Sequence, residues 1–115
     1  MKLLLINIIL FTNIFAIEYG ELFFQGNCIT CHNIHEKKSA PSISEIRENY
    51  IRAFPKEEDF VNYLATWVLK PSKKMSIMQH SIDEFELMPE LAYDEYTLKE
   101  IAKYIYKTDF SKLPQ

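Results

Sequence analysis

Apolar positions recur along this 115-residue chain at helical spacing, with no strand-like alternation and no hairpin signal, so the pattern predicts an all-α protein. From Ile17 to Asn27, Tyr19, Leu22 and Phe23 share one side and Gly20 and Phe24 an adjacent stripe, which predicts a helix running into Cys28. A shorter helix is expected from Ser42 to Tyr50, with Ser44 placed to cap it and Ile43, Ile46 and Tyr50 on one face. After the break at Pro55, Lys56-Glu57-Glu58-Asp59 opens a third helix with acids at its positive end. Phe60, Tyr63, Leu64, Trp67 and Val68 form its apolar stripe, and Pro71 ends it. Regularity is then lost from Lys70 to Pro89. It returns from Asp94, an expected N-cap, to Tyr106, with Leu98, Ile101, Ala102 and Ile105 facing inward. Thr108 to Gln115 read as a polar tail.

The amino-terminal stretch breaks this periodicity. Met1-Lys2 is followed by apolar residues through Ala16, interrupted at Asn7, Thr12 and Asn13. The run is too short and broken for a membrane span, which needs about 20 residues. Residues 1–16 are therefore expected to be an export signal, cleaved near Ala16, leaving residues 17–115 as one domain. An uncleaved anchor is the alternative, and only it would bring the domain to a membrane. The full chain is short but 48% apolar, enough for one small core. A formal net charge of −3 argues against a generally basic nucleic-acid binder.

Candidate chemistry concentrates in Cys28-Ile29-Thr30-Cys31-His32. Two thiols three positions apart with an imidazole directly after them form the attachment pattern of a c-type haem. Each sulfur bonds one porphyrin vinyl group, and His32 lies under the iron as proximal ligand. These are the only cysteines, so no second pair completes a zinc ribbon, and no βαβ pattern suggests a thioredoxin-like site. The alternative is a plain Cys28–Cys31 disulfide in a haem-free protein. Pro41 follows in a polar loop, and its carbonyl can accept the other ring proton of His32, fixing the tautomer. His35 lies on the same local turn as His32 and reads as a loop histidine. Trp67 reads either as core packing or as an indole N–H reaching a haem propionate.

The opposite face of the iron needs a second ligand or stays open to a small molecule. Met75, Met78 and Met88 are the methionine candidates, with His80 a weaker rival. Met88 is favoured because Pro89 stiffens its loop and the last helix starts soon after. Met75 and Met78 lie beside Lys70, Lys73 and Lys74, a setting that suggests surface.

These residues resemble the class I cytochrome c family, over nearly all of residues 17–115. The likeness rests on Gly20 and Phe24 before the CxxCH pentapeptide, Pro41 after it, Met88-Pro89, and Tyr104 near the end of the last helix. It implies a first and last helix that cross closely, with Gly20 and Phe24 meeting Tyr104, and two shorter helices between. It implies a single covalent haem c on Cys28 and Cys31, with His32 and Met88 as axial ligands. The Met88-Pro89-Glu90-Leu91 stretch is similar to small bacterial monohaem members; Lys70–Leu87 departs from the mitochondrial pattern. The function implied is one-electron carriage in the bacterial periplasm between respiratory redox proteins, without substrate chemistry. Lys37, Lys38, Lys70, Lys73 and Lys74 would offer a basic rim to an acidic partner. A haem-based small-ligand sensor and a bound haem subunit of a larger respiratory enzyme are the alternatives.

Overall fold

A computed structural model describes residues 18–114. The expected export segment, residues 1–16, lies outside them. Among the described residues there are five α-helices and no strand: α1 (Tyr19–Phe23), α2 (Ile43–Ala53), α3 (Glu57–Leu69), α4 (Gln79–Phe85) and α5 (Glu95–Lys107). None is long and apolar enough to cross a membrane.

The frame is α5 packed against α3 on one side and α1 on the other. The α1–α5 crossing depends on Gly20. A Cβ built there would lie 2.1 Å from the Glu100 carbonyl oxygen, so only a residue without a side chain permits this approach. Phe24, 1% exposed, meets Tyr104 with ring centroids 5.0 Å apart. The helix–helix contact implied by the family resemblance is thus present in the fold.

Helix ends follow local chemistry. Asp94 Oδ1 accepts from the Thr97 amide at 2.7 Å and caps α5, as its sequence position suggested. At α2 the cap is Ser42, whose Oγ accepts from the Glu45 amide at 3.2 Å, not Ser44. The Ser44 hydroxyl instead donates to the Ile34 carbonyl at 2.8 Å and ties the helix to the loop after the cysteines. Helix α2 also runs one turn further than expected, to Ala53, before Phe54 turns extended ahead of Pro55. Arg47 on α2 donates from Nε to the Ile105 carbonyl and from Nη2 to the Tyr106 carbonyl, both at 2.9 Å. It satisfies carbonyls in the last turn of α5, which have no intrahelical partner, and its charge suits that end of the helix.

Three further features depart from the sequence expectations. The first helix does not continue as a regular α-helix into Cys28: Phe24–Cys28 is a π-helical turn, with Asn27 Nδ2 donating to the Phe23 carbonyl at 2.9 Å. The stretch expected to be irregular contains α4, a short helix whose apolar residues Ile82 and Phe85 face inward. The tail is not uniformly polar in its packing. Phe110, in a 3₁₀ turn over Phe110–Lys112, is 2% exposed and packs on Phe24 and Tyr104.

Candidate functional site

A cavity of about 320 Å³ is lined by residues of the cysteine pentapeptide and by residues of α4 and the loop after it. Its walls are mainly aliphatic and aromatic: Ile43, Ile46 and Tyr50 from α2, Leu64 and Val68 from α3, Leu98 and Ile101 from α5. This is the size and character of a cofactor site.

Cys28, Cys31 and His32 share one wall. The π-helical turn ends at Cys28, and a helical hydrogen bond from the His32 amide to the Cys28 carbonyl (3.0 Å) winds the pentapeptide into a single turn. Both thiols are unpaired, Cys28 half-buried and Cys31 exposed. Burial pushes the Cys28 thiol up to about 11, so it stays protonated at neutral pH. The Pro41 carbonyl lies 2.8 Å from His32 Nδ1. A carbonyl can only accept, so Nδ1 carries the proton and Nε2 keeps its lone pair. Burial holds the imidazole below its ordinary pKa, and the hydrogen bond to Pro41 opposes that shift only in part. The ring is therefore neutral at pH 7, the form that can ligate a metal.

Met88 and Pro89 line the same cavity, in the loop between α4 and α5. Met78 lines it too, 5% exposed and packed in the core at the start of α4. Met75 is 53% exposed and does not line it. His80 is exposed and directs Nε2 to Glu45 Oε1 at 3.0 Å, and His35 Nε2 meets the Leu113 carbonyl at 3.1 Å. Trp67 is on the cavity wall, but its indole N–H donates to the Ser72 carbonyl at 3.0 Å and so is already engaged within the chain.

Two contributions lay beyond the sequence argument. One is Tyr50, 4% exposed on the cavity wall, its phenol held above its ordinary pKa first by burial and then by Tyr63 nearby. The helical stripe placed Tyr50 inside but gave no hint that it borders a cavity. The other is Glu86, in the lip of the cavity with φ 71° and ψ 177°, a region that residues with a side chain rarely occupy. No local signal marks such a residue, because glycine is the usual sign.

The residues fit a covalently held haem: two free thiols at attachment spacing, an imidazole with its outer nitrogen free, and an apolar cavity bordered by thioethers. A helical domain closed by crossing terminal helices around such a site defines a c-type cytochrome. The cytochrome c family model matches residues 17–109, most of the chain, and the protein belongs to that family. Neither a curated protein nor a solved structure matched it. Membership implies covalently bound haem c and haem-based electron transfer; members are generally carriers rather than enzymes.

Proposed function

We propose that the protein is an exported monohaem cytochrome c that carries single electrons between respiratory redox proteins of the bacterial periplasm. Cys28 and Cys31 would hold the haem through thioethers, His32 would ligate through Nε2, and Met88 would supply the second axial ligand. The observation that carries the reading is the 2.8 Å contact of His32 Nδ1 with the Pro41 carbonyl, on the cavity wall beside both thiols. That bond fixes the imidazole orientation and raises its basicity toward iron.

When bound, the haem supplies a one-electron ferric/ferrous couple. The chain's own residues do the rest. Ile43, Ile46, Leu64, Val68 and Ile101 keep water from the cavity, and that burial disfavours the additional positive charge of the ferric form. A thioether ligand acts in the same direction, because sulfur is a poor donor to ferric iron. With His32 and Met88 both committed to holding the haem, no substrate site would be needed. Export is supported by the apolar stretch at residues 3–16, and the redox partners remain those implied by the carrier reading.

Met78 lines the same cavity and gives the rival ligand assignment. Met88 is preferred because it belongs to an irregular loop stiffened by Pro89, whereas Met78 is already packed in the core at the start of α4. Optical spectra of the purified protein, with Met88→Ala and Met78→Ala, test this. The proposal expects a low-spin wild type whose weak near-infrared thioether band disappears in Met88→Ala and survives in Met78→Ala. The opposite pattern would move the ligand to Met78. A high-spin wild type that binds carbon monoxide readily would favour the sensor function.

A further inference from the structure

Residues that both line the cavity and stand exposed mark its mouth. They are Cys31 and Ser39, in and after the attachment motif, and Glu86, Leu87 and Pro89, in the loop after α4. Leu87 is 44% exposed, an apolar contact at the rim. Glu86 is the one acidic residue lining the cavity, and no lysine or arginine lines it. Asp83, Glu84 and Glu90 are exposed beside it in the chain, and none of these four carboxylates forms an ion pair among the described residues.

The lysines expected to form a basic rim are arranged differently. None lines the cavity. Lys37 pairs with Glu45 at 3.4 Å and Lys38 with Glu36 at 3.6 Å, so the loop near Ser39 presents little net charge. Lys73 and Lys74 precede α4 in the chain, and the Lys73 backbone is tied to its start, where Gln79 Nε2 donates to the Lys73 carbonyl at 2.7 Å. Glu86 stands at the other end of that helix. Seven helical residues separate the two ends by about 10 Å, beyond the Debye length of about 8 Å at physiological salt. The charge along α4 is thus divided, basic at its start and acidic at its end, and the mouth lies at the acidic end.

We propose that this mouth is the docking surface for a basic redox protein, whose lysines or arginines face Glu84, Glu86 and Glu90 while an apolar residue meets Leu87. The inference rests on the reading that electrons leave a haem in this cavity through its mouth, and it reverses the sign of the partner expected from the lysine count. Charge complementarity of this kind governs encounter rate and orientation.

The test uses the reduced holoprotein and two one-electron oxidants of opposite charge, cationic tris(phenanthroline)cobalt(III) and anionic ferricyanide. Each takes one electron from the ferrous protein, giving cobalt(II) or ferrocyanide. The cobalt rate is expected to fall at least ~3-fold between about 0.01 and 0.15 M ionic strength, while the ferricyanide rate rises or stays level. Octalysine should slow the cobalt reaction by occupying the mouth. Glu84→Gln/Glu86→Gln should remove at least about half of the cobalt salt dependence on a logarithmic scale, with Glu58→Gln, on α3, leaving it unchanged. A ferricyanide rate that falls with salt, or carboxamide variants that behave as wild type, would overturn the proposal. Failure of the carrier reading itself looks different: neither oxidant would react bimolecularly, or the protein would carry no haem absorbance, and the docking proposal would fall with it.

Discussion

Replacing Gly20 with alanine tests the crossing on which the frame depends. The new Cβ would lie 2.1 Å from the Glu100 carbonyl oxygen, 2.7 Å from its carbon and 3.3 Å from the Ile101 amide nitrogen. All three are backbone atoms of α5, so no side chain can rotate away. Carbon contacts are comfortable at about 3.5 Å, so α1 and α5 must part by roughly 1 Å or more. That movement also loosens the Phe24–Tyr104 contact. Overpacking of this kind costs about 1–3 kcal/mol, whereas alanine gains about 1 kcal/mol in helix propensity. Because rigid backbone is what must move, the clash should lie at the upper end of that range, for a net loss of about 2 kcal/mol. In a domain of this size such a loss lowers Tm by roughly 8–16 °C. Thermal or guanidinium unfolding of the holoprotein gives the value. Gly26→Ala is the internal control, since nothing lies within 4 Å of its Cβ, and it should be neutral or up to ~1 kcal/mol stabilising. A Gly20→Ala protein within about 0.5 kcal/mol of wild type, the range of an ordinary surface change, would refute the steric argument.

Phe110→Ala should cost about 3 kcal/mol in guanidinium unfolding, because the ring is 2% exposed against Phe24 and Tyr104; a loss under about 1 kcal/mol would mean the turn does not hold there. Hydrogen bonds from Thr97 keep the Asp94 carboxyl below its ordinary pKa. Its contribution is therefore present above the unfolded value near pH 4 and lost as pH falls through the folded one. Tm measured below about pH 4 should drop more steeply for wild type than for Asp94→Asn, and parallel curves would exclude the linkage. Glu86→Gly should raise stability by about 1 kcal/mol by relieving the positive φ, and a lower Tm would show that the glutamate side chain compensates its backbone. Arg47→Lys should lose about 1–2 kcal/mol, since one ammonium cannot serve the Ile105 and Tyr106 carbonyls in the guanidinium's forked geometry; unchanged unfolding would show that water replaces it.

Apart from the α1–α5 crossing, which the family resemblance implied, the parts of the fold that were legible are written in residues close together in the chain. Asp94 followed by Leu98, Ile101, Ala102 and Ile105 declares α5, and the cysteine pentapeptide declares its own chemistry within five positions. Helix α4 was hidden because Gln79, His80, Ser81, Asp83 and Glu84 leave only Ile82 and Phe85 to make a stripe, too few for a period to emerge. Phe110 was hidden for the opposite reason, a lone aromatic among polar neighbours, packed on Tyr104 of the preceding helix and on Phe24 far back in the chain. The choice between Ser42 and Ser44 turned on a tertiary bond to Ile34, and the π-helical turn before Cys28 has no sequence mark. In the candidate site, the residues that type and spacing single out, Cys28, Cys31, His32, Pro41 and Met88, line one cavity. Its mouth was not legible, because lysines and glutamates close in sequence are sorted to opposite ends of α4 only once that helix exists.

Trp67 is the single tryptophan of the chain, and it stands on the cavity wall. With haem bound, its emission would be quenched by energy transfer to the porphyrin while the domain is folded. A porphyrin held at Cys28 and Cys31 would stay tethered when the chain unfolds, so recovery of the emission would measure the separation of α3 from the attachment turn. A haem held there would give the protein its own donor–acceptor pair, and the variants above could be followed without added label, as a distance rather than a loss of helix.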